Sequence, residues 1–378
     1  MQTISRKRLA FLGGGVNSAI GKVHFISSQM DQKFVVTGGC FSRHSEVNLD
    51  TATQYQLPRT AISSSLEELL SRRDEYDAIV LLTPTPNHFE HLQTLLDSGI
   101  RVICEKSLVA SYDEALKIHE KVVSKSSSLA VTFNYTGYPM VRLMQEMLLG
   151  GQIGDPISIR IEMPQEGYIR EDKISGVVNP PQTWRQSDGE IPTILLDLGV
   201  HVLHLASFIT NLNPSGVFAR FRNHSFLRGV IDDVEILSEY TNGMLGSYWV
   251  SKTALGKQNG LRVEIYGTKG SLAWVQVNPN EILHVNRFGE NHIIKFGQGF
   301  HLVDELRYTR FKAGHPGGFI EAFANLYSDI HEQFVNKVTV ESLTDYVPGI
   351  QNAVKGLEIL RNTVESNRAR EWIPTQDS

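Results

Sequence analysis

The first third of the chain repeats one pattern, a short apolar run followed by a stretch with helical spacing. The apolar runs fall at about 9–12, 34–37, 78–82, 102–104 and 129–133. The helical patterns between them cover about 18–29, 64–73, 89–98 and 112–124. Local signals agree: Ser64 or Ser65 can cap a helix whose first turn holds Glu67 and Glu68, and Gly99 closes another. Apolar strands that alternate with helices imply a parallel sheet covered on both faces. The fold class expected here is therefore α/β and doubly wound.

Such a sheet binds ligands beyond the carboxyl ends of its strands. Four of those ends carry signals. Gly13-Gly14-Gly15-Val16-Asn17-Ser18 fills the first strand-to-helix turn as G-x-G-x-x-S. Glycines there let the backbone approach a pyrophosphate held at a helix N-terminus, so Gly13, Gly15, Val16 and Asn17 are candidate dinucleotide contacts. Ser18 stands where a third glycine is usual and is read as its small substitute. After the second run, Gly38-Gly39-Cys40-Phe41-Ser42-Arg43-His44 contains no carboxylate before Glu46. An acidic residue would have bound the ribose 2′-hydroxyl of NAD. Ser42 and Arg43 suit a 2′-phosphate, so NAD and NADP both stay open. Thr83, Pro84, Thr85 and His88 follow the third run as a stiff turn forming one wall of a cofactor cleft. Glu105 and Lys106 follow the fourth, and a charged pair at a buried strand end is costly unless something binds against it.

After Asn134 the pattern changes. A helix at about 138–149 and a strand at 157–163 precede a long irregular stretch, 164–192, that holds Trp184 and Arg185. Loops of that length commonly form lids or binding walls. The next helix, about 195–209, places Asp197 and His201 at i and i+4 on one face. A carboxylate beside an imidazole suits general acid–base work near neutral pH, and it also suits a buried structural pair. His201 and His204 lack a matching third and fourth ligand, so no metal is expected. From 216 to 294 short runs alternate with turns such as Asn242-Gly243, the mark of sequential hairpins. They imply a mostly antiparallel sheet with one open face, where Tyr248, Trp249, Tyr266 and Trp274 suggest a homodimer or homotetramer contact. Two helices, about 319–334 and 349–365, complete the chain. The expected division is a dinucleotide-binding domain over 1–134 and a substrate and oligomerisation domain over 135–378.

Size and composition agree with two ordinary globular domains: 378 residues, 41% hydrophobic and 20% charged. A net charge of -5 gives no basic footprint for nucleic acid or an acidic membrane. Two cysteines cannot build a disulfide framework, and the apolar stretch after Arg6-Lys7-Arg8 is too short for a signal peptide. A cytoplasmic protein is expected.

In this order the motifs resemble the Gfo/Idh/MocA oxidoreductases. The resemblance rests on Gly13-Gly14-Gly15, Thr83-Pro84-Thr85 with His88, Glu105-Lys106 and Asp197-Leu198-Gly199-Val200-His201. It extends through Asn134-Tyr135-Thr136-Gly137-Tyr138-Pro139, Asn259-Gly260-Leu261-Arg262 with Tyr266-Gly267, and Gly314-His315-Pro316-Gly317-Gly318. These stretches are similar to a subgroup with L-glucose and inositol dehydrogenases. The resemblance implies a Rossmann domain followed by an α/β domain, and an NAD- or NADP-dependent oxidation of a secondary hydroxyl on a cyclic sugar or polyol. It places Lys106 between nicotinamide and substrate, with Asp197 and His201 beside the substrate. Whether His201 or Lys106 takes the proton stays open. Trp184, Arg185 and Tyr135 join the candidate substrate contacts, although Tyr135 and Tyr138 serve equally well as packing. Ser107 stands where the family has proline, which suggests a looser backbone behind Lys106. Asp188 and Glu190 occupy a loop that is glycine-rich in relatives. A redox-neutral sugar-modifying enzyme and a dinucleotide-binding sensor remain the alternatives.

Overall fold

A computed structural model describes residues 6–299, 308–312, 314–336 and 346–375. Two compact units divide the chain, Met1–Gly137 with Gly318–Val354, and Tyr138–Gly317 with Lys355–Ser378. Where a single break after residue 134 was expected, the first unit runs three residues further and later takes the chain back.

The first unit is a parallel sheet of β1 (Lys7–Gly13), β2 (Phe34–Cys40), β3 (Ala78–Leu82), β4 (Arg101–Cys104) and β5 (Leu129–Val131), in the order β2-β1-β3-β4-β5. Helices α1 (Ala19–Gln29), α2 (Ser45–Gln54), α3 (Leu66–Ser71), α4 (His88–Asp97) and α5 (Tyr112–Lys125) connect the strands. All five residues of β3 are buried, as a central strand covered on both faces requires. The helix Phe319–Asn336 packs on α1 and completes one layer. Its Leu326, Tyr327, Ile330 and Phe334 join Leu9, Phe11, Phe34 and Val80 in a single core. Helix α2 is the element that the pattern did not reveal: SEVNLDTATQ is polar nearly throughout, and only Asn48, Thr51 and Ala52 are buried. Chain order reverses between β1 and β3, so the switch point lies beside Gly13 and Thr83.

The second unit is built on a sheet of nine strands. These are β6 (Pro156–Pro164), β7 (Gly216–Arg222), β8 (Asp233–Glu239), β9 (Leu245–Ser251), β10 (Arg262–Gly267), β11 (Gly270–Val275), β12 (Glu281–Asn286), β13 (Asn291–Lys295) and β14 (Ile373–Pro374). Their order is β13-β12-β11-β10-β6-β9-β8-β7-β14, antiparallel except where β6 pairs with β9. One face is covered by α6 (Pro139–Leu149) and α7 (Val200–Thr210). Strands such as β8 alternate buried and exposed residues along their length, the pattern of a sheet covered on one side. The expected single helix over 195–209 is two elements, a π-helical turn at Leu195–Gly199 running directly into α7. Among the described residues no helix is long and apolar enough to cross a membrane, and no cluster of three metal-ligating side chains occurs.

Candidate functional site

In the first unit the glycine turn is shaped by near contacts. Gly13 and Gly14 have φ of +87° and +73°, a region open mainly to glycine. A Cβ on Gly13 would lie 2.7 Å from the Leu82 carbonyl carbon, and one on Gly15 would lie 2.9 Å from Val47 Cγ1. Only bare backbone fits, which is what close approach of a pyrophosphate demands. Ser18 is not the stand-in for a third glycine. Its hydroxyl caps α1 by accepting from the Gly21 amide at 3.2 Å. The close-packing glycine is Gly21, whose Cβ would fall 2.1 Å from the Gly14 carbonyl oxygen. The Val16 amide donates to Thr51 Oγ1 at 3.0 Å, so this expected cofactor donor is held by α2 instead. Asn17 is exposed at the mouth of α1.

At the end of β2 the Ser42 main chain is gripped by Asn48, which accepts from its amide at 2.9 Å and donates to its carbonyl at 2.7 Å. Arg43 is exposed beside it. Past β3, the Thr83 hydroxyl meets His91 Nδ1 at 3.1 Å, and Pro84 leads into a tight turn in which Thr85 is buried. His88 is fully buried, with Nε2 2.7 Å from the Thr83 carbonyl and Nδ1 2.8 Å from the Ser107 carbonyl. Burial pushes its imidazole below the ordinary histidine value, against the pull of those carbonyls and the Glu105 charge. His88 thus joins the loops after β3 and β4 rather than offering its ring to a cofactor. It also answers the concern over Ser107, because the backbone behind Lys106 is tied by that imidazole. The Lys106–Ser107 peptide bond is cis.

Glu105 is buried as well and faces inward. It accepts from Thr132 Oγ1 and meets His24 Nε2 at 3.3 Å, and His24 Nδ1 lies 2.7 Å from the Tyr327 hydroxyl. Burial favours the neutral acid, yet His24, the Lys106 charge and Thr132 outweigh it and hold the carboxyl below its ordinary value. Glu105 is therefore a fixed anion under the strand end, and half-buried Lys106 follows it directly. Tyr135 is buried, with its ring 6.1 Å from that of Phe319.

In the second unit Asp197 is the centre of a polar chain. One carboxylate oxygen accepts from Arg185 Nη2 and the other from Lys252 Nζ, each at 2.8 Å. Lys252 also donates to Gln165 Oε1 at 2.7 Å. Gln165 continues to Asn259, Asn259 to Gln276, and Gln276 to the Tyr138 hydroxyl. The Arg185 guanidinium stacks 4.3 Å over the Trp184 ring. Tyr168 lies beside this chain. Burial, aided by the Asp197 charge, pushes its hydroxyl up to about 12, so it remains a proton donor at any working pH. His201 is buried one turn beyond Asp197, at the start of α7. For His204, burial pushes the ring down to about 3, which leaves it neutral. Asp188 is fully engaged, accepting from Thr193 N and Oγ1 and from the Ile231 amide. It anchors its loop. Lys252 and Gln165 escaped the sequence reading because nothing local marks them.

The family comparisons fall on the same two halves. Residues 7–133 match the description "Oxidoreductase family, NAD-binding Rossmann fold", and residues 141–273 match the C-terminal domain of the same family. The chain is a Gfo/Idh/MocA family member. The uncharacterized oxidoreductase YfiI of Bacillus subtilis is 27% identical to it over 97% of this chain and 96% of its own. Levoglucosan dehydrogenase of Pseudarthrobacter phenanthrenivorans is 27% identical over 57% of this chain and 60% of its own. An inositol dehydrogenase homologue from Azotobacter vinelandii, solved with NADH and myo-inositol, shares the fold at a TM-score of 0.87. It is 24% identical, with 98% of each chain covered. The Rossmann glycines, the β4 end and the π turn therefore belong to an NAD-binding oxidoreductase scaffold.

Proposed function

We propose that this Gfo/Idh/MocA protein oxidises a secondary hydroxyl of a cyclic sugar or polyol, reversibly and with a nicotinamide dinucleotide. One observation carries the reading: Asp197 is fixed by two cations one turn before His201, in a chain whose NAD-binding half sets Lys106 just beyond the end of β4. The dinucleotide supplies the hydride acceptor, and the bare backbone at Gly13 and Gly15 fits its pyrophosphate. His201 takes the hydroxyl proton, with Asp197 setting the orientation of that site. Lys106 donates to the substrate oxygen and stabilises the charge that develops on it. Thr83, Pro84 and Thr85 wall the nicotinamide side, with Glu105 beneath Lys106. Arg185 and Trp184 present a guanidinium and a flat ring to a cluster of hydroxyls, while Tyr135 serves the packing of its own unit. The relatives' substrates, an anhydrosugar and an inositol, support the ring-polyol class. The buried thiols Cys40 and Cys104 suit a cytoplasmic setting, and the open sheet face suits a homo-oligomer.

The test is reduced-nicotinamide absorbance with NAD and NADP supplied separately, against inositols, hexoses, pentoses and anhydrosugars. Turnover of a ring polyol is expected. Lys106→Ala and His201→Ala should each lower kcat at least about 10²-fold while still binding the dinucleotide. Near-normal turnover in either variant removes that residue from the chemistry.

A further inference from the structure

We infer that this chain is built for the 2′-phosphate of NADP, held between Arg43 and Arg59. The inference rests on the dinucleotide reading above and goes beyond it by choosing between the two cofactors. A cavity of about 300 Å³ opens next to the end of β2, with Arg43, Ser45, Arg59 and Ser64 among the residues that line it. Arg43 precedes α2, whereas Arg59 lies in the single 3₁₀ turn Arg59–Ala61 that follows it. Helix α2 is thus the spacer that sets two guanidinium groups on one cavity. Ile62, next to that turn, bridges to Gly39 of β2, which ties the second wall to the same strand end. Two guanidiniums on one small cavity suit a dianionic phosphate, since each can donate a forked pair of hydrogen bonds. NAD's ribose hydroxyl wants a carboxylate at this position, and none occurs from Gly38 to His44. Among the described residues no acidic one lines the cavity, and Glu68 behind it is engaged, accepting from the Ser64 amide at 2.7 Å and from its hydroxyl at 2.5 Å.

The experiment is a titration of the full chain with NADPH and NADH, followed by nicotinamide fluorescence. Adenosine 2′,5′-bisphosphate and AMP serve as competitors. NADPH should bind at least about tenfold more tightly than NADH, and the bisphosphate should compete better than AMP. Arg43→Ala and Arg59→Ala should each weaken NADPH about tenfold and leave NADH within about twofold. Equal or tighter binding of NADH overturns the inference, as does an Arg59→Ala variant that loses both cofactors equally. Binding of neither dinucleotide sinks this inference together with the cofactor reading. Tight NADPH binding without turnover of any polyol would sink only the dehydrogenase reading.

Discussion

At the scale of single residues, each unit fixes one carboxylate, Glu105 in the first and Asp197 in the second, beside a candidate catalytic residue. Asp197 is held through both oxygens, so its orientation depends on Lys252, which is 8% exposed. Lys252→Met should lower kcat on the oxidised polyol about 10²-fold, the scale expected when a positioned group drifts by about an ångström. Lys252→Arg should recover part of the loss, and an unchanged kcat in the Met variant would leave Lys252 a packing residue. Glu105 offers a second test, through pH. Its folded-state pKa is held below the ordinary carboxylate value. The stability it contributes is therefore present above the unfolded pKa and is lost as pH falls through the lowered value. Glu105→Gln should cost about 1–3 kcal/mol at pH 7. In urea melts the gap to the wild type should close below about pH 4. A gap that acid leaves unchanged would show that Glu105 contributes through packing and not through charge. The positions of Asp197, His201 and Lys106 close to element ends were legible in the sequence, whereas their roles belong to the proposal. Lys252 was not legible, because it lies 55 positions from Asp197 and reaches it only through the pairing of β9 with its neighbours.

At the scale of elements, the strands were legible and the devices that aim them were not. Apolar runs announce β1 to β5, since a buried parallel strand tolerates little else. Three features left weaker marks. Helix α2 is short and polar, stabilised by its links to the strand ends through Asn48 and Thr51 more than by an apolar stripe. The π turn at Leu195–Gly199 has the same composition as an α turn and declares itself only in the backbone; such turns often mark functional positions. Gly21 sits in the first turn of α1, where most other residues would favour the helix more. Its reason is contact, because any side chain there meets the Gly14 carbonyl. Gly21→Ala should push α1 away from the glycine turn, costing about 1–3 kcal/mol in a thermal melt. Affinity for the reduced dinucleotide should fall with it, while Lys22→Ala on the same helix serves as a neutral control. Normal affinity in Gly21→Ala would mean that the pyrophosphate does not depend on this approach.

At the scale of the whole molecule, the open face of the nine-stranded sheet decides whether one chain acts alone. Register places opposite charges side by side across it. Arg262 pairs with Glu162, Glu264 with Arg160, and Arg220 with Glu235. Among these rows stand Leu237, Leu245 and Tyr266, which are 46%, 56% and 41% exposed. Apolar side chains gathered on one open sheet face suit contact with another chain. Alternating rows of both signs are self-complementary, because a two-fold rotation can bring arginine of one copy onto glutamate of the other. The expected occupant of this face is therefore a second copy of the chain. Light scattering on the purified protein should give twice or four times the 42.3 kDa of the single chain. Leu237→Arg combined with Leu245→Arg should shift the mass to that of the single chain, since the new charges would be desolvated without partners. Each unit has its own core, so the double variant should keep its melting temperature to within a few degrees once the loss of the partner is allowed for. A wild-type chain that stays monomeric at about 100 µM, well above the dissociation constants of ordinary homodimers, would assign the apolar residues on this face to some other role.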